Sequence, residues 1–421
     1  MKRTTRFLIE AAVVLSALAG CTAKAPLSYE VMCSEMQRNP TAAHIDGLGG
    51  TLKWNYTTGL ELKAFLDVTV GDKGALAGGI SGQGHFSGPG MKYQSQGARS
   101  MDEVLTYVDA WYDAIISEDG TIGVNYKKTN YSTDHICPGR TLIQLYDLTH
   151  KEKYRLAMDR LFEQIQEQPR TPEGGFWHKQ IYPQQMWLDG LYMAQPFYAE
   201  YTARFAPDSL KAACFADIAR QFLIVAEHTY DPATQLYRHA WDSSHEMFWC
   251  NPETGQSDHA WGRALGWYMM ALVEVLPTMP EDTPGRDAML AIFRQLVEVL
   301  PHYADSKTGM WYQVLDRPGA EGNYVEATAS AMFVYSMLKG SRLGYVDARK
   351  YARAAYRKML KTFVTRDEEG LVDLNQCCEV AGLGGKENRR GDYDYYIHEK
   401  VRSNDPKGIG PLIWAALEYE R

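Results

Sequence analysis

A three- and four-residue apolar periodicity, renewed along almost the whole chain, most constrains what this sequence can fold into. It recurs in Ser28–Arg38, Trp54–Leu66, Met101–Ile116, Asp134–Thr149, Glu152–Glu167, Met186–Phe205, Ser209–His228, Ala260–Val275, Arg286–Tyr303, Val325–Leu338, Val346–Thr362 and Gly408–Tyr419, each with the spacing of a helix that buries one face. Strand-like alternation is confined to short pieces such as MWYQV at Met310–Val314, so the chain predicts an all-α fold. The linkers differ in length and show no fixed period, which disfavours an open array of identical helix pairs.

Chemistry alternates as well. The helices starting near Trp54, Asp134, Met186, Ala260, Val325 and Gly408 begin beside polar or aromatic groups that packing alone would not select, whereas the helices between them read as amphipathic cladding. Six inner and six outer helices in an (α/α)6 barrel satisfy this pattern, with Ser28–Arg38 closing the ring beside the last inner helix. The polar groups then meet at one mouth, where helix N-termini favour an anionic ligand.

The rest of the chain bounds the setting. Lys2, Arg3 and Arg6 precede an apolar stretch, Ala11–Ala19, and LAGC ends at Cys21; this resembles a bacterial lipoprotein signal. Residues 1–21 are therefore expected to be the signal, ending at a lipidated Cys21. Residues 22–421 are then expected to form a single (α/α)6-barrel domain, interrupted by a Gly-rich insertion at about 71–100. The expected location is the periplasm or outer membrane, with the membrane met only through the lipid, since no other apolar run approaches the ~20 residues of a span. A net charge of -8 without a basic stripe argues against nucleic acid. The six further cysteines have irregular spacing and read as small core residues, with a disulfide permitted by export but not indicated.

Asp189 in QMWLDGLYM is the misfit. A carboxylate among Trp187, Leu188, Leu191, Tyr192 and Met193 costs free energy unless it is paired or protonated. Other candidates for the mouth are Trp54 and Tyr56, Asp134 and His135, His178, His239, His259, Trp261, Arg263 and Trp267, Tyr324 and Glu326, and Asp405 and Lys407. Each has a plainer reading. Asp134 follows Ser132 and Thr133 and can be a helix cap; Trp261 and Trp267 can be core; His239 can be a hydrogen-bonded structural residue; Asp405 and Lys407 can be a loop ion pair.

Three segments together, WHKQIYPQQMWLDGLYMAQPFYAEY, WGRALGWYMMALVEVL and KVRSNDPKGIGP, resemble glycoside hydrolase family 105, the unsaturated rhamnogalacturonyl hydrolases, and its near relatives the unsaturated glucuronyl hydrolases. The resemblance implies Asp189 as catalytic acid and Asp134 as the second active-site carboxylate. It implies Tyr56, His178, His239, Trp261, Arg263 and Trp267 as substrate-pocket positions, with no cofactor or metal required. The substrate it implies is an oligosaccharide ending in an unsaturated uronate, whose enol ether accepts a proton at C4. An acid serving that step at neutral pH needs a raised pKa, which burial beside aromatics and a second carboxylate promotes. Arg263 is then expected to hold the uronate carboxylate through its fork of donors, with Trp261 and Trp267 turning flat faces to sugar rings. Rivals are a glucuronyl hydrolase acting on glycosaminoglycan fragments, a helical-barrel sugar epimerase, and a glycan-binding lipoprotein without catalysis.

Overall fold

The computed structural model describes residues 25–70 and 98–421. Cys21 and its signal, and all but the last three residues of the Gly-rich insertion, lie outside the described residues.

The helices are α1 (Leu27–Arg38), α2 (Tyr56–Val70), α3 (Met101–Ile115), α4 (Gly139–Thr149), α5 (Glu152–Glu167), α6 (Leu188–Arg204), α7 (Asp208–Thr229), α8 (Gly262–Val275), α9 (Arg286–Val299), α10 (Ala327–Arg342), α11 (Arg349–Phe363), α12 (Tyr393–His398) and α13 (Pro406–Glu420). The inner ring runs α2–α4–α6–α8–α10–α13 and closes where α13 packs on α2. The outer helices are α1, α3, α5, α7, α9 and α11; α1 seals the ring by lying against both α13 and α2. This is the (α/α)6 barrel expected from the periodicity.

Burial follows position in the ring. Every residue of α8 is buried, because an inner helix meets both its ring neighbours and its outer partner and has no wet face. Outer α11 buries only Ala352, Ala355, Tyr356, Met359 and Phe363, one stripe at helical spacing. One continuous apolar core threads all of these helices. Cys33, Cys137, Cys214, Cys377 and Cys378 are buried in it as free thiols, and Cys250 is half-buried.

Three expectations need correction. The second inner-ring segment does not begin at Asp134: α4 starts at Gly139, and residues 133–135 form a separate 3-10 turn. Pro138 is the cause, since it has no N–H to donate back and disfavours helical geometry in the residue before it. Likewise α9 stops at Val299, and Leu300–Tyr303 winds on as a 3-10 turn around Pro301. The MWYQV segment is not a strand but makes isolated bridges, among them Trp261 to Val314 and Tyr312 to Val325.

Eight short strands, unforeseen, make four two-stranded antiparallel pairs: β1 (Gln185–Trp187) with β4 (Ala240–Asp242), β2 (Tyr230–Asp231) with β3 (Leu236–Tyr237), β5 (Val364–Arg366) with β6 (Val372–Leu374), and β7 (Cys377–Cys378) with β8 (Val401–Arg402). The first and last of these fasten the loops at the barrel mouth.

Candidate active site

β1 runs directly into α6, so Asp189 falls in the first turn of an inner helix. Pairing of Trp187 with Ala240 then brings His239 alongside, and the Leu188 N–H donates to the His239 carbonyl at 3.1 Å. The result is a close approach of side chains: His239 Nε2 lies 3.3 Å from Asp189 Oδ2. Among the described residues neither atom has a hydrogen-bond partner, so the two face each other as an unclosed pair. His239 is fully buried, and its Nδ1 meets the Tyr396 hydroxyl at 2.7 Å.

Asp134 stands in a contrasting environment. Lys179 Nζ sits 2.5 Å from its Oδ2, and His178 Nε2 lies 3.7 Å from its Oδ1. Burial alone would raise the Asp134 carboxyl, but Lys179 and then His178 outweigh it, and the net effect is a lowered pKa. His178 goes the other way. Burial pushes it down to about 4 despite the pull of Asp134, so the ring is neutral at physiological pH. It is held by stacking on Trp187, with centroids 4.5 Å apart and planes at 10°, and by Thr133 Oγ1, 3.1 Å from Nδ1. The charges of Asp134 and Asp189 both act on His178, which places the two acids around one uncharged imidazole.

Arg263, on the first turn of α8, forms the back of the site. Its Nη1 donates to the Cys378 carbonyl, and its guanidinium lies 4.5 Å from the Trp261 ring centroid. One arm of the expected fork is therefore committed, and Nε and Nη2 are the edge left for a ligand. Burial opposes its charge, but Cys378, Asp405, Tyr56 and Glu326 around it raise its pKa further. Gly262 allows this geometry: a Cβ there would sit 2.8 Å from the Tyr312 carbonyl oxygen. Tyr56, the first residue of α2, joins the same field, its phenol pushed well up by burial and by Asp134, Asp405 and Asp189 against the pull of Arg263.

The expectation that Trp261 and Trp267 offer open faces to sugars is not met. Trp261 is 1% exposed, with Arg263 over its ring, Tyr396 stacked 5.9 Å away and His239 at 4.7 Å. Trp267 is also 1% exposed, stacked on Tyr192 at 4.7 Å with Tyr56 against it edge-on. Both form the wall beneath the site.

Other candidates separate in the same way. Glu326 caps α10 and accepts N–H donors from Ala329 and Cys378; Asp405 caps α13 and pairs with Lys407 and Arg402. They brace the mouth. His259 is tied to Asp316 at 2.8 Å. Trp54 packs on Trp111 and donates to the His135 carbonyl. Tyr324 is half-buried, its phenol raised by burial and then by Cys378 and Glu326 against the pull of Arg263. Sequence reasoning passed over Lys179, although it adjoins His178 in WHKQ, and it missed Tyr396 altogether. A cleft of about 860 Å³ between α1 and α3, lined by Met36, Leu52, Tyr107 and Trp111, contains none of these groups, so the chemistry lies at the mouth.

An acid pair in unequal environments, set beside two buried imidazoles at the mouth of a helical barrel, is the arrangement of a glycoside hydrolase. Comparison with known proteins gives the family. The model described as Glycosyl Hydrolase Family 88 matches residues 86–421. A family 105 glycoside hydrolase of C. acetobutylicum shares 38% identity and a TM-score of 0.80, over 93% of this chain and 99% of that one. Protein Atu3128 of Agrobacterium fabrum is 38% identical over 234 residues, 54% of this chain and 97% of the relative. The unsaturated rhamnogalacturonyl hydrolase YesR of Bacillus subtilis is 26% identical over 281 residues, 65% of this chain and 73% of the relative. The chain belongs to glycoside hydrolase family 105, in the group of unsaturated uronyl hydrolases that it forms with family 88.

Proposed function

We propose that this enzyme releases the 4,5-unsaturated uronic acid from the nonreducing end of rhamnogalacturonan-derived oligosaccharides, with Asp189 as the proton donor. The observation that carries this reading is the inequality of the two acids. Asp134 is paired with Lys179, whereas among the described residues no lysine or arginine pairs with Asp189. Proton transfer falls to Asp189.

Asp189 delivers its proton to C4 of the enol ether, and positive charge develops on C5 and the ring oxygen. Asp134, ionised throughout, offers negative charge to that cation. The Asp189 carboxylate left behind is the base that takes a proton from water as its oxygen bonds to C5. The hemiketal so formed opens the ring, and the aglycone leaves with its oxygen as an alcohol. No displacement occurs at C1, unlike ordinary glycoside hydrolysis. Arg263, through Nε and Nη2, supplies positive charge for the uronate carboxylate.

The rhamnogalacturonan assignment is supported by the similarity to YesR. It is tested by following loss of the ultraviolet absorbance of unsaturated rhamnogalacturonan and unsaturated chondroitin disaccharides in parallel. Faster turnover of the chondroitin substrate would replace this reading with glycosaminoglycan hydrolysis; binding of both without turnover would leave a glycan-binding protein. Reaction in heavy water should place deuterium at C4 of the product. We further propose that the chain is an exported lipoprotein anchored at Cys21, so that Cys21→Ser should abolish incorporation of labelled palmitate.

A further inference from the structure

Tyr396 enters the site from α12, a helix of six residues outside both rings. It is fully buried. Three contacts fix it: Asp392 caps its helix and accepts the Tyr395 N–H; Gln313 Nε2 donates to the Tyr396 carbonyl at 3.2 Å; and its ring stacks on Trp261, whose indole N–H is itself held by Gln313 Oε1 at 3.1 Å. Among the described residues the hydroxyl has one hydrogen-bond partner, His239 Nδ1, at 2.7 Å.

Only one arrangement of hydrogens satisfies this chain of groups. If His239 carried its proton on Nδ1, the phenol would have to accept, and its own O–H would be a buried donor with no acceptor. If the phenol donates, Nδ1 is the bare nitrogen and the imidazole hydrogen is on Nε2, facing Asp189 Oδ2 across 3.3 Å. Burial holds the phenol well above its ordinary pKa, so the donor keeps its proton at any working pH.

Resting on the reading that Asp189 is the acid, we propose that Tyr396 is a positioning residue for catalysis. By donating to His239 Nδ1 it fixes the Nε2–H tautomer against Asp189 Oδ2, which confines the transferable proton to Oδ1. Oδ1 is then the oxygen that faces C4. When it gives up its proton, the new carboxylate finds an N–H 3.3 Å from Oδ2, which closes into a hydrogen bond by a small turn of either side chain and needs no change of tautomer. Tyr396 acts only through His239 and does not touch the reacting atoms.

The test is a double-mutant cycle with unsaturated rhamnogalacturonan disaccharide. Tyr396→Phe should lower kcat roughly tenfold, part of the factor of about 10² to 10⁴ that a positioned acid contributes, and leave KM within about twofold. In a His239→Gln background the same substitution should cost nothing further. Nitrogen-15 spectra of selectively labelled wild-type enzyme, with the His239 signal assigned from His239→Gln, should show Nδ1 unprotonated and Nε2 protonated. An unchanged kcat in Tyr396→Phe, an equal loss in both backgrounds, or a protonated Nδ1 in the wild type would overturn the proposal; the last measurement decides it even if Tyr396→Phe does not fold. Failure of the reading that Asp189 is the acid is seen separately, as full activity in Asp189→Asn.

Discussion

Lys179 Nζ lies 2.5 Å from Asp134 Oδ2, while the acid across the site, Asp189, has an imidazole beside it, His239 Nε2 at 3.3 Å. The contrast divides the labour between two residues of identical chemistry. It follows from the local chain: His178 and Lys179 adjoin, and Thr133 N–H and Oγ1 both donate to the His178 carbonyl, so the turn bearing Asp134 is tied to the loop bearing its cation.

Removing that cation should be felt in the pH profile. With Lys179→Met, burial becomes the dominant influence on Asp134 and raises its carboxyl. Because Asp134 is needed ionised, the acidic limb of kcat/KM should move to higher pH. Activity at pH 7 should fall by about tenfold or more. A limb unmoved by the substitution would remove Lys179 from this role.

Asp189→Asn keeps the shape of the side chain and removes its transferable proton. Turnover of the unsaturated disaccharide should fall by roughly 10² to 10⁴, with the melting temperature and substrate affinity little changed. Near-native rates, measured by loss of ultraviolet absorbance, would take the acid role away from Asp189.

Which of these features could be read from the sequence follows from the physics that makes them. Barrel and ring order were legible because each helix of the two rings carries its own periodic signal, and an inner helix such as α8 differs visibly from an amphipathic one such as α11. Asp189 stood out because a charge in an aromatic run is anomalous by itself. Tyr396 did not, because a helix of six residues is too short to show a period and its partner, His239, lies 157 positions away. The burial of Trp261 and Trp267 was hidden for a related reason: an aromatic at the start of an inner helix can face the cavity or its wall, and only the neighbours Tyr192, Tyr396 and Arg263 decide which.

His178 makes the enzyme's stability depend on acid. Its folded pKa of about 4 lies below the ordinary histidine value of ~6.5. Between those values the unfolded chain binds a proton that the folded one refuses. Stability contributed by this site is therefore complete above pH ~6.5 and is lost as pH falls towards 4, by about 3 kcal/mol at the limit. Urea unfolding of wild type and His178→Gln at pH 4.5 and 7 checks the sign: the wild type should lose more stability on acidification than the variant.

Far below the mouth the inner helices carry a buried ionic belt. Arg140 reaches Glu200 at 2.6 Å and Glu274 at 2.8 Å, and Lys339 meets Glu274 at 2.8 Å. Burial opposes ionisation of Glu274, but Lys339 and Arg140 overcome it and hold the carboxyl well below its usual range. Glu274 and Arg263 lie on one helix, eleven residues apart, or about 16 Å along its axis, so the belt is remote from the chemistry. Glu274→Gln strands two buried cations in part. It should destabilise the fold by about 3 to 5 kcal/mol, while kcat at a temperature where the variant is folded stays within about twofold. A matching loss of kcat would mean that the belt sets the geometry of the mouth as well as the closure of the barrel.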